Sequence, residues 1–503
     1  MKRRAFVHSA AAAVAALSFR SRPLAADMPW RAARRPPRDV EAVTGDGRTV
    51  TLTDAMLAEL RGRLRGPLLL AADDGYDDAR RILNPSFDKR PALIVQPTGV
   101  ADVRTAVDFA RDNGGLLLAV KCGGHSFSGM STCDRGMQID LSRFRDVRVD
   151  PSARTARVTG GSLLGQLDHE AMGFGLVTTM GTVSHTGVGG LVTGGGFGRL
   201  GRRFGLAIDN LLSVDVVAAD GQLHRASADE NPDLFWGVRG GGGNFGIVTS
   251  FEFRLHPMQR QVIGGEIVFP IAKARDVLAM IADYAPQAPA ELNLGFYMVK
   301  PPGEEPGVAA VEVCWSGDEA GVERALAPIR ALGSPLADGT KPIDYVALQK
   351  SGDIQDPRAT AAYLKSGFIP DLSRPLIDAM IDEFRPDPRR ATVAFFQLGG
   401  GAIARVAPNA TAFSQRDAFA NLLVTAVWPF GQDGAMHIEE TRQYWSKLEP
   451  FTHGFYVNDL DPDMTAAVIQ ANYRQNHDRL VAVKNRYDPK NLFRLNANVK
   501  PTM

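Results

Sequence analysis

A chain of 503 residues is long enough for two sizeable cores, and its 45% apolar and 22% charged content is that of an ordinary globular protein. A formal charge of +1 gives no global field to recruit nucleic acid or an anionic membrane. Three cysteines (Cys122, Cys133, Cys314) exclude a dense disulfide framework, and with no Cys-x-x-Cys pair and no His-x-x-x-His spacing no metal site is expected.

In chain order, Lys2-Arg3-Arg4-Ala5-Phe6-Val7 sets paired arginines before an apolar stretch, residues 10–17, that is too short to span a bilayer. A small-residue exit follows at Leu24-Ala25-Ala26. Residues 1–26 are therefore expected to be a twin-arginine signal peptide read by the Tat translocase, giving a periplasmic or secreted product with no membrane span. Residues 27–86 read as a Pro/Arg-rich linker and a helical preface capped by Thr53.

Residues 92–95 form a short apolar strand, and Thr98 is placed to cap a helix with Val100, Val103, Val107 and Ala110 on one face. Gly114-Gly115 stops that helix, and strand 116–120 runs directly into Lys121-Cys122-Gly123-Gly124-His125-Ser126. Ser162 is placed to cap the next helix, carrying Leu163, Leu164, Leu167 and Ala171. Strand 211–218 turns at Asp220-Gly221 into a hairpin, and an alternating strand from Ile247 ends before Pro257. From about 262 to 450 strands at 292–299, 308–315, 393–398 and 422–428 alternate with helices at 272–284 and 319–332, the pattern of a separate α+β domain. Two helices, about 463–474 and 475–486, precede the tail. Cys122 and Cys133 are near enough in sequence to bridge in an oxidising compartment, although three packed thiols are the simpler expectation.

The 51 glycines cluster at 114–129, 160–205 and 237–246, which points to binding loops built from backbone. Gly241 to Gly246 satisfies G-x-G-x-x-G, but a strand follows it where a dinucleotide fingerprint needs a helix. No glycine-rich segment contains G-K-[ST], so a P-loop also fails. Loops 123–129, 181–190 and 194–198 remain as a pyrophosphate cradle in which backbone N–H groups approach closely. His125 stands in the first of these loops, where Gly123 and Gly124 leave room for a flat ring and a neutral imidazole can act as nucleophile.

These stretches resemble the berberine bridge enzyme-like FAD-linked oxidases, of the vanillyl-alcohol oxidase and p-cresol methylhydroxylase fold group. The matching runs are Arg90 to Pro97, Gly123 to Gly129, Gly187 to Gly198, Gly205 to Asn210, Asp233 to Val248 and Tyr487 to Arg494. The resemblance implies a two-domain α+β fold: a p-cresol methylhydroxylase-type FAD domain over 87–258, an antiparallel-sheet α+β substrate domain over 259–454, and a C-terminal segment, 455–503, returning to the FAD domain. It implies FAD bonded covalently through its 8α-methyl carbon to His125. Further flavin contacts are expected from Cys122, Gly123, Gly124, Ser126, Phe127, Ser128 and Gly129; from Gly181, Thr182, Ser184, His185, Gly187, Gly189, Gly190, Gly194 and Gly195; from Gly246, Ile247 and Val248; and from Asn496 and Asn498. Many relatives hold the flavin a second time through a Gly-Thr-Cys-Pro loop; here the run is Gly181-Thr182-Val183-Ser184, and valine forms no thioether. Thr186 lies where such enzymes control oxygen access.

The implied reaction oxidises an alcohol carbon of a small molecule, a sugar or secondary metabolite, by hydride transfer to flavin N5, with reoxidation by O2 or another acceptor. Tyr456 and Asn458 resemble the family's catalytic Tyr-x-Asn, and share one face if the segment is extended. A phenol of pKa ~10 must fall by roughly 3 pH units, about 4 kcal/mol, to serve as base near neutrality. The plant Lys-x-Gln pair is absent from strand 422–428. Amine oxidation, oxidative ring closure, or a flavin-binding envelope protein without turnover remain alternatives.

Overall fold

The computed structural model describes residues 39–502 except 357, 462 and 463, so the twin-arginine segment lies outside the described residues. The preface forms as its sequence dictates: the Thr53 hydroxyl accepts the Met56 N–H at 3.3 Å to start helix Asp54–Arg63. Strand Leu93–Val95 pairs in parallel with Met137–Asp140, which pairs in parallel with Leu118–Lys121. Helix Val100–Asp112 makes the crossover and buries Val103, Ala106, Val107 and Ala110. Its start differs from expectation. Thr98 does not cap it; the Asp102 carboxylate accepts the N–H groups of Thr98, Arg65 and Gly66 at 2.9–3.0 Å, because an ionised oxygen is the stronger acceptor. Ser162 is likewise no cap: its hydroxyl donates to Asp146, and Gln166 accepts the Leu163 N–H ahead of helix Leu164–Met172.

A second, antiparallel sheet orders its strands Leu223–Ser227, Leu211–Val217, Ile247–Arg254, Thr155–Thr159 and Val147–Asp150. The expected hairpin is present, and Phe251 and Phe253 alternate inward from Ile247–Arg254 into a core shared with Leu164 and Leu167.

A third sheet carries the other large core. Its path runs Ala337–Asp338, Gln261–Pro270, Val308–Trp315, Leu292–Lys300, Ala391–Leu398, Ala420–Pro429, Thr360–Ile369. Helices Ala274–Tyr284, Val322–Arg330, Arg374–Asp382 and Ala435–Leu448 cover one face through Val277, Leu326, Leu376 and Trp445. Leu294, Phe296 and Met298 point under those helices, each worth about 1.5–3 kcal/mol of apolar burial. The intervening residues Asn293 and Gly295 face a cavity on the opposite side.

The C-terminus then returns. Helix His477–Tyr487 delivers Lys484, whose ammonium donates to Asp488 (2.6 Å), to the Asn244 carbonyl (2.8 Å) and to the Phe493 carbonyl (2.8 Å), entirely out of solvent. The Asn244 amide donates to the Ala497 carbonyl and accepts the Val499 N–H. The tail is thereby pinned to the glycine turn around 241–246. All three cysteines are free, so Cys122 and Cys133 are not bridged.

Candidate active site

The cavity measures about 480 Å³ and lies between the glycine loops, the tail and the open face of the third sheet. Close approach of main chain builds its glycine wall. A Cβ on Gly123 would sit 2.3 Å from the Gly187 nitrogen, so only paired glycines let the 123 and 187 loops touch.

His125 stands at this wall after Gly124, which takes φ +72°. Its Nε2 lies 2.6 Å from His185 Nδ1, and Thr186 Oγ1 lies 3.3 Å from its Nδ1. The Ile354 N–H donates to His185 Nε2 at 3.0 Å, which leaves the His185 proton on Nδ1 to donate to His125. His125 Nε2 is thus an acceptor, and its own proton sits on Nδ1 toward Thr186. Burial, with the charge of His185 adding to it, pushes the His125 pKa down to about 3, so the ring is neutral at physiological pH.

The wall fits a flat dinucleotide cofactor. Gly190 and Gly242 have open space where a Cβ would stand, and Gly243 meets only Asn496 at 4.0 Å. Among the described residues, Ser131 Oγ and Asn496 Oδ1, both on the cavity lining, are buried with no hydrogen-bond partner, which polar ligand atoms would satisfy. No cluster of three His, Cys, Asp or Glu placed to hold a metal ion occurs among the described residues.

Most residues expected to contact the flavin line this cavity: Cys122, Gly123, Gly124, His125, Ser126, Phe127 and Ser128; Gly181, Thr182, Gly187, Gly189 and Gly190; Gly246, Ile247, Val248 and Asn496. Others stand behind it. Gly129 packs on Phe87, Gly194 beneath Asn458, and Gly195 (φ +140°) between Phe413 and Tyr456. Ser184 is held by Asp353, with its hydroxyl at 2.6 Å and its N–H at 2.8 Å, and His185 backs His125. Asn498 lies off the cavity lining. Val183 lines the cavity. The Cys122 thiol donates to the Ser162 carbonyl, and burial pushes its pKa up to about 11, so it is unreactive.

Tyr456 and Asn458 differ from the extended pair. Tyr456 precedes a 3₁₀ turn, Val457–Asp459, and its hydroxyl accepts the Gly196 N–H (2.8 Å) and the Asn458 amide (2.7 Å). Its ring packs edge-on against Phe197, Phe368 and Phe413. Burial holds this phenol well above its usual pKa, which is the wrong direction for a base.

Sequence reasoning missed the acids of the opposite wall. Asp459, next to Asn458, lines the cavity and is pushed up to about 7 by burial; Asn421 donates to its Oδ2 at 2.8 Å. Glu312 lines the cavity beside its cross-strand neighbour Glu266, which burial and the Glu312 charge push up to about 8 and which accepts the Tyr297 hydroxyl at 2.9 Å. Arg199 also lines the cavity and donates to the Thr182 carbonyl and Gln349. Period-two alternation over 393–398 could have flagged Phe395 and Gln397 as cavity-facing.

Comparison with known proteins finds a match to a family model described as "FAD binding domain" over residues 91–227, and to one described as "Berberine and berberine like" over 455–500. The chain is 32% identical to an FAD-linked oxidoreductase of Dictyostelium discoideum (82% of this chain, 89% of that one). It is 30% identical to the (R)-6-hydroxynicotine oxidase of Paenarthrobacter nicotinovorans (87% and 97%) and 30% identical to the xylooligosaccharide oxidase of Thermothelomyces thermophilus (83% and 89%). The crystal structure of 6-hydroxy-D-nicotine oxidase from Arthrobacter nicotinovorans superposes with a TM-score of 0.79 at 28% identity, covering 87% of this chain and 98% of that one.

Proposed function

Because the chain belongs to the berberine bridge enzyme-like FAD-linked oxidoreductases, we propose that it carries FAD covalently on His125 and oxidises the CH–OH group of a small molecule. The observation that carries this reading is the neutral His125 imidazole, buried in a glycine-walled cavity with its tautomer set by His185 and Ile354. When bound, the flavin supplies a hydride acceptor beside the substrate, and O2 or another acceptor regenerates it. The chain's own residues do the rest. His125 would hold the ring, the main chain at 123–124, 187–190 and 242–243 would approach the cofactor, and Asn496 would satisfy a polar edge. The face bearing Phe395, Gln397, Leu423 and Thr425 would shape the substrate pocket. A sugar or secondary metabolite fits this class, and the xylooligosaccharide oxidase is a relative that supports a sugar. With valine at 183 the attachment is single, and the flavin potential is lower than in doubly linked relatives. The twin-arginine segment directs the folded protein through the Tat translocase to the periplasm or beyond.

The test is colour after acid precipitation. Wild-type protein should give a yellow pellet, and His125→Ala should release its FAD into the supernatant; a colourless wild-type pellet would sink the covalent assignment. A second reading, amine oxidation, is favoured by the Glu312 carboxyl in the cavity wall, which suits a cationic nitrogen, and by the hydroxynicotine oxidase relative. Anaerobic bleaching of the flavin by a panel that includes xylobiose and (R)-6-hydroxynicotine separates the two.

A further inference from the structure

The geometry points to Asp459 as the catalytic base, taking the O–H or N–H proton of the substrate as hydride leaves the adjacent carbon, with Asn421 and Gln397 as positioning residues. This rests on the flavoenzyme reading above and names the group that completes it. In the step, the C–H bond breaks with its electron pair passing to the flavin. The O–H or N–H bond breaks with its proton passing to the Asp459 carboxylate, and a C=O or C=N bond forms. The acid then returns its proton to solvent.

Placement is the first argument. Asp459 closes the turn Val457–Asp459, and the neighbouring Asn458 amide donates to the Leu191 carbonyl of the short glycine helix Val188–Gly194 at 2.9 Å. On its other side Asp459 is fixed by Asn421 in the central strand Ala420–Pro429. The carboxylate therefore stands where the cofactor-holding loops meet the substrate-facing sheet, as a group that touches both must. The Asn421 Nδ2 also lies 3.3 Å from Gln397 Oε1, so the amide is oriented from behind. An ionised carboxylate offers about four acceptor sites, and Asn421 occupies one, which leaves capacity for a substrate hydrogen.

Competition is the second. The Tyr456 hydroxyl is committed to Gly196 and Asn458, and the Asp459 charge raises its pKa further. Glu312 stands opposite Glu266, whose carboxyl pKa is raised by burial and by the Glu312 charge, on strands that do not carry the turn. On strand Thr360–Ile369, which packs against the turn, Lys365 is ion-paired with Asp461. Burial rather than a cation thus sets the proton affinity of Asp459, at about 7, which suits a base working near neutrality.

The experiment uses flavin-loaded holoenzyme and whichever of xylobiose or another panel member bleaches the flavin. Anaerobic flavin reduction is followed against pH for wild type, Asp459→Asn, Asp459→Glu and Tyr456→Phe. In parallel, infrared titration of each holoenzyme follows the carboxyl C=O stretch. The wild-type rate should rise with pH through about 7 and level off above it, since the base must be ionised. Asp459→Asn should lose ~10²–10⁴-fold in rate and lose the pH step, while its acid pellet stays yellow. Asp459→Glu should recover part of the rate with the step displaced, Tyr456→Phe should keep the step, and the carboxyl absorbance titrating near 7, to which Asp168 also contributes, should lose one group's amplitude in Asp459→Asn. Asp459→Asn protein that reduces flavin at the wild-type rate with the step intact, or that keeps the full wild-type amplitude of the titrating carboxyl absorbance, overturns the proposal while leaving the flavoenzyme reading in place. Wild-type protein without flavin overturns both.

Discussion

Desolvation decides the state of His125. Moving its pKa from 6.5 to about 3 corresponds to roughly 5 kcal/mol in favour of the uncharged ring, far more than the hydrogen bond from His185 contributes alone. Burial thereby keeps the ring uncharged, and His125→Ala should abolish acid-stable yellow colour without unfolding the protein. Gly194 makes a second residue-scale test. A Cβ there would stand 2.1 Å from Asn458 Oδ1, so Gly194→Ala should displace Asn458 from Tyr456 and cost about 1–3 kcal/mol, read as a lower Tm. The His125 loop was legible in the sequence because its chemistry is contiguous: two glycines, an imidazole and serines at the end of one strand. Asp459 was not, because its partner Asn421 lies 38 residues away and its burial exists only in the folded chain. The surroundings of Tyr456 were hidden for the same reason, since a motif does not display the apolar rings that raise a phenol's pKa.

At the scale of elements, nearly continuous apolar runs carried the strands at 308–315 and 393–398, and interrupted runs lost others. Gln261–Pro270 contains Gly264-Gly265, with Gly265 at φ +139° against the Gly339 carbonyl, and Thr360–Ile369 contains Lys365-Ser366-Gly367; both interrupt the pattern that marks a strand. Helix Ala435–Leu448 was missed because His437 and Thr441 occupy buried positions where apolar residues are expected. The tail anchor can be tested directly. Lys484→Met leaves Asp488 charged and unpaired in a site with no solvent exposure, and should cost about 3–5 kcal/mol. Because Lys484 also holds the Asn244 and Phe493 carbonyls, the variant should loosen residues 491–499. Faster amide exchange there, with FAD loading reduced, is the expected result; unchanged exchange would contradict the anchoring role.

Over the whole molecule, buried titratable groups set how stability varies with pH. Asp168 and Asp459 have folded pKa values of about 7 and Glu266 about 8, all raised by burial. Between the unfolded carboxylate values and these, the folded state binds protons that the unfolded chain does not, so stability falls as pH rises. His125, His185, His256, His437 and His453 are shifted down and act in the opposite sense below pH 6.5. The acids act alone only above about pH 7.5, where unfolded histidine has also lost its proton; from there to about pH 8.5 roughly 1 kcal/mol should be lost and Tm should fall, and a rising Tm across that range would contradict this assignment. The two large cores and the returning tail were legible through local patterns and family resemblance, whereas the cavity's acidic wall exists only once the third sheet has closed over the glycine loops. The central claim is tested most directly by mass spectrometry of a tryptic digest of freshly isolated protein. The peptide covering residues 122–135 should carry the mass of FAD bonded at His125. That peptide recovered wholly unmodified from yellow protein would contradict the account.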